Sequence, residues 1–171
     1  MKDISRLMDG VYEAFFLAQD KGPFHPIRLE NGWFTACNEA FNLICMKMGY
    51  DRFDRMTSLR THGALSANQM FDLMSQDYGD WRKIAQAAGA QELANTGALV
   101  AAAYKNELGH GHIATVIPGT AEPSSSWGSL APKLFNVGKD VFIGKKASFA
   151  FQKNEMPTYF TLKDNNGNSR T

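Results

Sequence analysis

Apolar positions along this chain follow two rhythms. Up to Asn95 they recur at three- and four-residue steps, the repeat that lines one face of a helix. Beyond it they come in short runs broken by Gly, Pro, Ser and Asn, the signature of strands and turns. Ile4, Leu7, Met8, Val11, Tyr12, Phe15 and Phe16 predict a first helix, stopped by Lys21-Gly22-Pro23. Residues 24–34 read as a linker, with His25-Pro26 and Asn31-Gly32 as turn signals. A second helix is expected from Cys37 to Met48, with Phe41, Ile44, Cys45 and Met48 as its buried stripe and Gly49 as its stop. Residues 50–63 read as polar and irregular. Ser66 or Asn68 caps a third helix through Met74. Asp80 is expected to cap a fourth, with Trp81, Ile84 and Ala88 facing inward, and residues 92–95 to make one more short turn. Strands are then expected at residues 98–104, 112–117, 134–137, 141–143, 147–151 and 158–162, with a loop at 120–132 and a polar, frayed tail from 163 to 171. Helices first and strands afterwards predict an α+β fold, N-terminal helices packed on a C-terminal antiparallel sheet, in a single domain spanning residues 1–171.

Composition narrows the function classes. A chain of 171 residues with formal net charge +1 has no basic excess for nucleic acid. No run of about eighteen apolar residues exists, so no membrane span is expected. The first 22 residues carry Lys2, Asp3, Arg6, Asp9, Glu13, Asp20 and Lys21, which leaves no apolar core for a secretory signal. Action in the cytoplasm, delivery to the cell wall by a signal-independent route, or trimming of the chain each fit. The two cysteines, Cys37 and Cys45, lie about 12 Å apart if both sit on one helix. A disulfide tolerates roughly 7 Å between Cα atoms, so no bridge is expected.

The candidate chemistry lies in two segments. Thr35-Ala36-Cys37-Asn38-Glu39 places a cysteine at a helix start, where unpaired N–H groups and the positive end of the dipole stabilise a thiolate. Read alone, Cys37 is equally a packed core residue, four before Phe41. Cys45 fits the core stripe. The second segment, Gly109-His110-Gly111-His112-Ile113-Ala114, puts a histidine at the head of a strand after a glycine turn. His110 and His112 share a face on such a strand and are also readable as metal ligands. A structural zinc site wants four ligands, however, and His25 and His62 fall in unrelated loops. No cofactor or metal is expected.

Taken together, the helix-start Cys37, the Gly97-x-Leu99-Val100 strand and His112-Ile113-Ala114-x-Val116 resemble the papain-like cysteine peptidase clan in its bacterial cell-wall branch, the NlpC-like peptidases and CHAP amidases. The likeness runs from about Trp33 to Lys139. It implies Cys37 as nucleophile, His112 rather than His110 as base, and a third polar residue on the next strand to orient the imidazole. Asn136 is the suitable side chain there; it also suits the turn at Gly138, and Asp140 is the nearest carboxylate. The resemblance further implies an oxyanion-stabilising residue just upstream of the cysteine, with Asn31, Trp33 and Thr35 as candidates. Trp127 and Tyr104 are candidates to line the cleft, and residues 121–128 to touch substrate or act as a lid. The implied activity is hydrolysis of a peptidoglycan amide. The implied partners are a cell-wall peptide and an inhibitor or immunity protein. A cytoplasmic peptidase, deamidase or acyltransferase, and a catalytically silent binding module, remain alternatives.

Overall fold

A computed structural model describes residues 2–30, 32–56 and 62–163. The first helix, α1 (Ile4–Leu17), is capped by Asp3, whose carboxylate accepts from the Arg6 N–H at 3.0 Å. It buries Leu7, Gly10, Val11 and Ala14, while Ile4, Tyr12 and Phe16, expected on the inner face, are exposed. Gly10 marks its crossing with the second helix. A Cβ at Gly10 would meet Lys47 Cβ at 3.3 Å and Ile44 Cα at 3.4 Å, a tight fit that the bare α-carbon avoids.

The expected linker is instead a small hairpin, β1 (Ile27–Leu29) with β2 (Gly32–Phe34), pairing Ile27 with Phe34 and Leu29 with Gly32. Helix α2 (Cys37–Lys47) follows and buries Phe41, Ile44 and Cys45 as its spacing predicts. A second hairpin, β3 (Asp54–Met56) with β4 (His62–Ala64), stands where irregular chain was expected. Ser66 caps α3 (Ala67–Met74) in a reciprocal capping box with Gln69.

The expected fourth helix at Trp81 is a strand, β5 (Trp81–Ile84), and α4 (Ala87–Asn95) starts later. The reason is visible in the packing. Trp81 belongs to one buried cluster and Ile84 to another. Residues three apart point to opposite faces of a strand but to the same face of a helix. Trp81 and Ile84 are both buried, but on opposite faces of a strand, and Ala88 is only partly buried.

The remaining strands are β6 (Val100–Tyr104), β7 (His112–Val116), β8 (Glu122–Ser124), β9 (Ser129–Ala131), β10 (Lys133–Val137), β11 (Val141–Lys146) and β12 (Thr158–Leu162). Strands β8 and β9 form a hairpin inside the expected loop. Residues 147–151, expected as a strand, begin with a short 3-10 turn at Ala147–Phe149, tied back by Ala147 N–H to Pro132 O at 2.8 Å.

Six strands make one antiparallel sheet in the order β11-β10-β7-β6-β12-β5. The last strand, β12, inserts between β6 and β5, which ties the chain end into the sheet interior. Helices cover both faces, so the central β6 alternates between two cores. Ala101 and Ala103 join the cluster under α1, α2 and α3, while Val100 and Ala102 join the cluster around α4. This two-sided burial explains a strand with no polar side until Tyr104. The fold is α+β, with helices against a large antiparallel sheet.

Candidate active site

Cys37 is the first residue of α2, and its N-cap, Ala36, supplies no side-chain bond. The N–H groups of Cys37, Asn38 and Glu39 therefore have no intrahelical acceptor and sit at the positive end of the dipole. His112 is the first residue of β7 and Asn136 lies near the end of the antiparallel β10, so both fall at one end of the sheet. The N-terminus of α2 meets that same end. Cys37 belongs to the first core cluster, whereas His112 packs at a tilt against Phe151 of the second, centroids 5.0 Å apart. The thiol and the imidazole meet where the two cores adjoin.

The hydrogen bonds fix the orientation of the ring. His112 Nε2 lies 2.7 Å from Asn136 Oδ1, and Asn136 Nδ2 donates to the Asp140 carbonyl at 2.7 Å. With the amide nitrogen committed, the oxygen faces the ring, and an amide oxygen only accepts. Nε2 thus carries a proton, and Nδ1 is the nitrogen left for Cys37. Asp140 acts through its main chain, and its side chain is exposed.

The electrostatics follow from these contacts. Burial pushes the Cys37 thiol up. The charge and hydrogen bond of His112, the Ile113 N–H and the Thr35 hydroxyl pull it down further, and its pKa ends below the ordinary thiol value. Burial pushes the imidazole of His112 down, but the Cys37 charge, hydrogen bonds to Cys37 and Asn136, and the Glu155 carboxylate raise it above its ordinary value. Both shifts favour a thiolate–imidazolium pair.

The other expected site residues are scattered. Thr35 reaches the thiol. Trp33 is exposed on β2, and Asn31 lies outside the described residues. Tyr104 is half-buried and pairs with His112 across β6 and β7. Trp127 is buried, and its indole N–H donates at 3.1 Å to the carbonyl of Phe151, the residue that packs against His112. Of residues 121–128, those from Glu122 to Ser124 are strand rather than loop. His110 is exposed, and among the described residues no cluster of three or more His, Cys, Asp or Glu side chains is arranged for a metal.

Two contributors were not anticipated. Phe151 supplies the wall behind His112, and nothing local in the sequence marks it. Gly138 lies against the His–Asn contact: a Cβ there would sit 3.1 Å from both His112 Cε1 and Asn136 Nδ2. A glycine two residues after the candidate Asn is a signal that was available in the sequence, though it read as a turn. Cys37 is 5 % exposed. Two clefts of about 470 and 390 Å³ flank β5, and none of Cys37, His112 and Asn136 lines either. Among the described residues no helix is long and apolar enough to cross a membrane. Compared with known proteins, the chain matches no family model and no curated sequence.

Proposed function

We propose that this chain is a papain-like cysteine hydrolase that cleaves an amide bond in bacterial cell-wall peptides through Cys37, His112 and Asn136. One observation carries the reading: the thiol at the N-terminus of α2 has the His112 imidazole as the neighbour that draws its pKa down against burial, and His112 Nε2 lies 2.7 Å from Asn136 Oδ1. A nucleophile, a base within reach and a group orienting that base are the elements covalent acyl transfer needs. The cell-wall substrate is supported by the motif likeness around Cys37 and His112.

The chemistry balances on these residues. The Cys37 thiolate attacks the amide carbon, and the carbonyl oxygen takes the negative charge near the unpaired N–H groups of the helix start. The protonated His112 gives its proton to the leaving nitrogen as the C–N bond breaks, which leaves an acyl-thioester. His112 then takes a proton from water, the hydroxide attacks, and the C–S bond breaks to release the acid and return the thiolate. Asn136 keeps Nε2 protonated, so Nδ1 carries the proton traffic. No cofactor enters the cycle. An inhibitor or immunity protein is the enzyme's expected protein partner.

Purified muropeptides are expected to be cut by the wild type and to survive Cys37→Ala. Intact muropeptides alongside hydrolysis of another amide would move the substrate to peptidase, deamidase or acyltransferase chemistry. The 5 % exposure of Cys37 favours a second reading, a silent binding module of the same fold. Cys37 reacting with iodoacetamide no faster than an ordinary buried thiol would select it.

A further inference from the structure

Both halves of the candidate site are tied to one element that belongs to neither. Helix α3 and the residues leading into it bridge the first turn of α2 and the loop that delivers His112. On the nucleophile side, the Ala64 N–H donates to Glu39 Oε1 at 3.0 Å, and Asn38 Nδ2 donates to the Leu65 carbonyl at 3.2 Å. On the base side, Asn68 spends its whole amide on the loop between β6 and β7. Its Nδ2 donates to the carbonyls of Asn106 at 2.9 Å and Gly109 at 3.0 Å, and its Oδ1 accepts from the Asn106 N–H at 3.1 Å. Two donors and one acceptor, on one rigid side chain, hold a loop whose Glu107, Leu108, Gly109 and His110 are all exposed.

The residue next to His112 records how close this clamp lies. A Cβ on Gly111 would fall 2.2 Å from Asn68 Oδ1 and 2.5 Å from the Tyr104 carbonyl. Only glycine lets the Asn68 amide and the turn into β7 occupy this space. The short segment Ala64–Leu65–Ser66 then links the clamp to α2, and the Ser66–Gln69 capping box holds the start of α3.

We propose that Asn68 is a positioning residue for the reaction: it clamps the β6–β7 loop to α3 and so sets the distance between His112 and Cys37. The inference rests on the reading of Cys37 and His112 as a reacting pair. Asn68 touches neither reacting atom and acts through the backbone entering His112. Loosening that backbone lets the imidazole drift from the sulfur, and the thiol loses the neighbour that offsets its burial.

The test is the pH profile of Cys37 alkylation by iodoacetamide on the full chain, read by mass spectrometry, which needs no substrate. Wild type is expected to show an inflection below the ordinary thiol range. Asn68→Ala is expected to move it upward and to slow alkylation at pH 6 by about tenfold or more, as the loss of one pH unit of thiolate stabilisation implies. Asn68→Asp, nearly isosteric, loses both donations and is expected to shift the same way, and it serves if the alanine variant fails to fold. Ser66→Ala weakens the cap of α3 while leaving the Asn68 bonds in place, and is expected to keep the wild-type profile. An unchanged profile in Asn68→Ala and Asn68→Asp overturns the inference. Equal shifts in Asn68→Ala and Ser66→Ala overturn it too, since they would report general loosening of α3. A wild type with no lowered inflection would instead sink the reacting pair itself, and the clamp with it.

Discussion

Cys37 and Cys45 lie on the same helix, both buried and both free, yet their thiols are driven in opposite directions. Burial is the largest influence on each and raises each. Cys45 has only a minor backbone hydrogen bond to set against it, and its pKa rises well above the ordinary thiol value. Cys37 has an imidazole, a strand N–H and a hydroxyl as neighbours, and its pKa falls. The lesson is that depth alone does not decide thiol reactivity. The polar neighbours decide it: an imidazole and a hydroxyl from outside α2 act on Cys37 at the helix start, and no such group offsets the burial of Cys45.

The largest expected contrast is in hydrolysis. Cys37→Ala is expected to lower amide hydrolysis by about a thousandfold or more, while Cys45→Ala retains wild-type turnover per folded molecule. A loss caused equally by both would break the comparison. Next comes alkylation at pH 7. Because the Cys37 pKa is lowered, a larger share of it is thiolate at neutral pH than of an ordinary thiol, and that share falls as pH falls. The Cys45 thiol stays protonated throughout that range. Cys37 is therefore expected to label about a hundredfold faster, a ratio that peptide mapping reads directly. His112→Ala should sharply reduce that ratio, since only the Ile113 N–H and the Thr35 hydroxyl then oppose burial at Cys37.

A smaller effect is expected at the orienting group. Asn136→Ala removes the partner of Nε2 and frees the wrong tautomer, lowering turnover by roughly tenfold to a hundredfold while the Cys37 thiol remains depressed by the nearby ring. Gly138→Ala, which crowds the same contact, should fall on the same side if contact geometry is what matters. The smallest contrast is in stability. Cys45→Ser buries a hydroxyl among apolar neighbours and is expected to cost about 1–3 kcal/mol in urea unfolding. Cys37→Ser keeps hydrogen-bonding neighbours and should cost less while abolishing activity.

Much of the helical half was legible in the sequence. The α2 stripe, its start at Cys37 and the Ser66 cap follow from spacing and side-chain chemistry within a few residues. The errors occur where a pattern fits two periods. Trp81 and Ile84 suit a helix by spacing, and become a strand because β12 pairs with them from the far end of the chain. The hairpins β1–β2 and β8–β9 are so short that their turn signals read as loop. Phe151 enters the site after a 3-10 turn and carries no local mark of contact with His112.

The candidate side chains and their places at element ends were legible in the sequence itself. A cysteine at a helix start and a histidine at a strand start are local facts, set by caps, glycines and apolar spacing. Their meeting was decided only by tertiary structure. The order of strands brings the head of β7 and the end of β10 beside the start of α2, and Asn136 turns its oxygen to the ring because its nitrogen is held by the Asp140 carbonyl. Local spacing selects a helix or a strand through contacts a few residues away. The distance between a thiol and an imidazole depends on how whole elements pack, and that is fixed by the burial of both faces of the sheet.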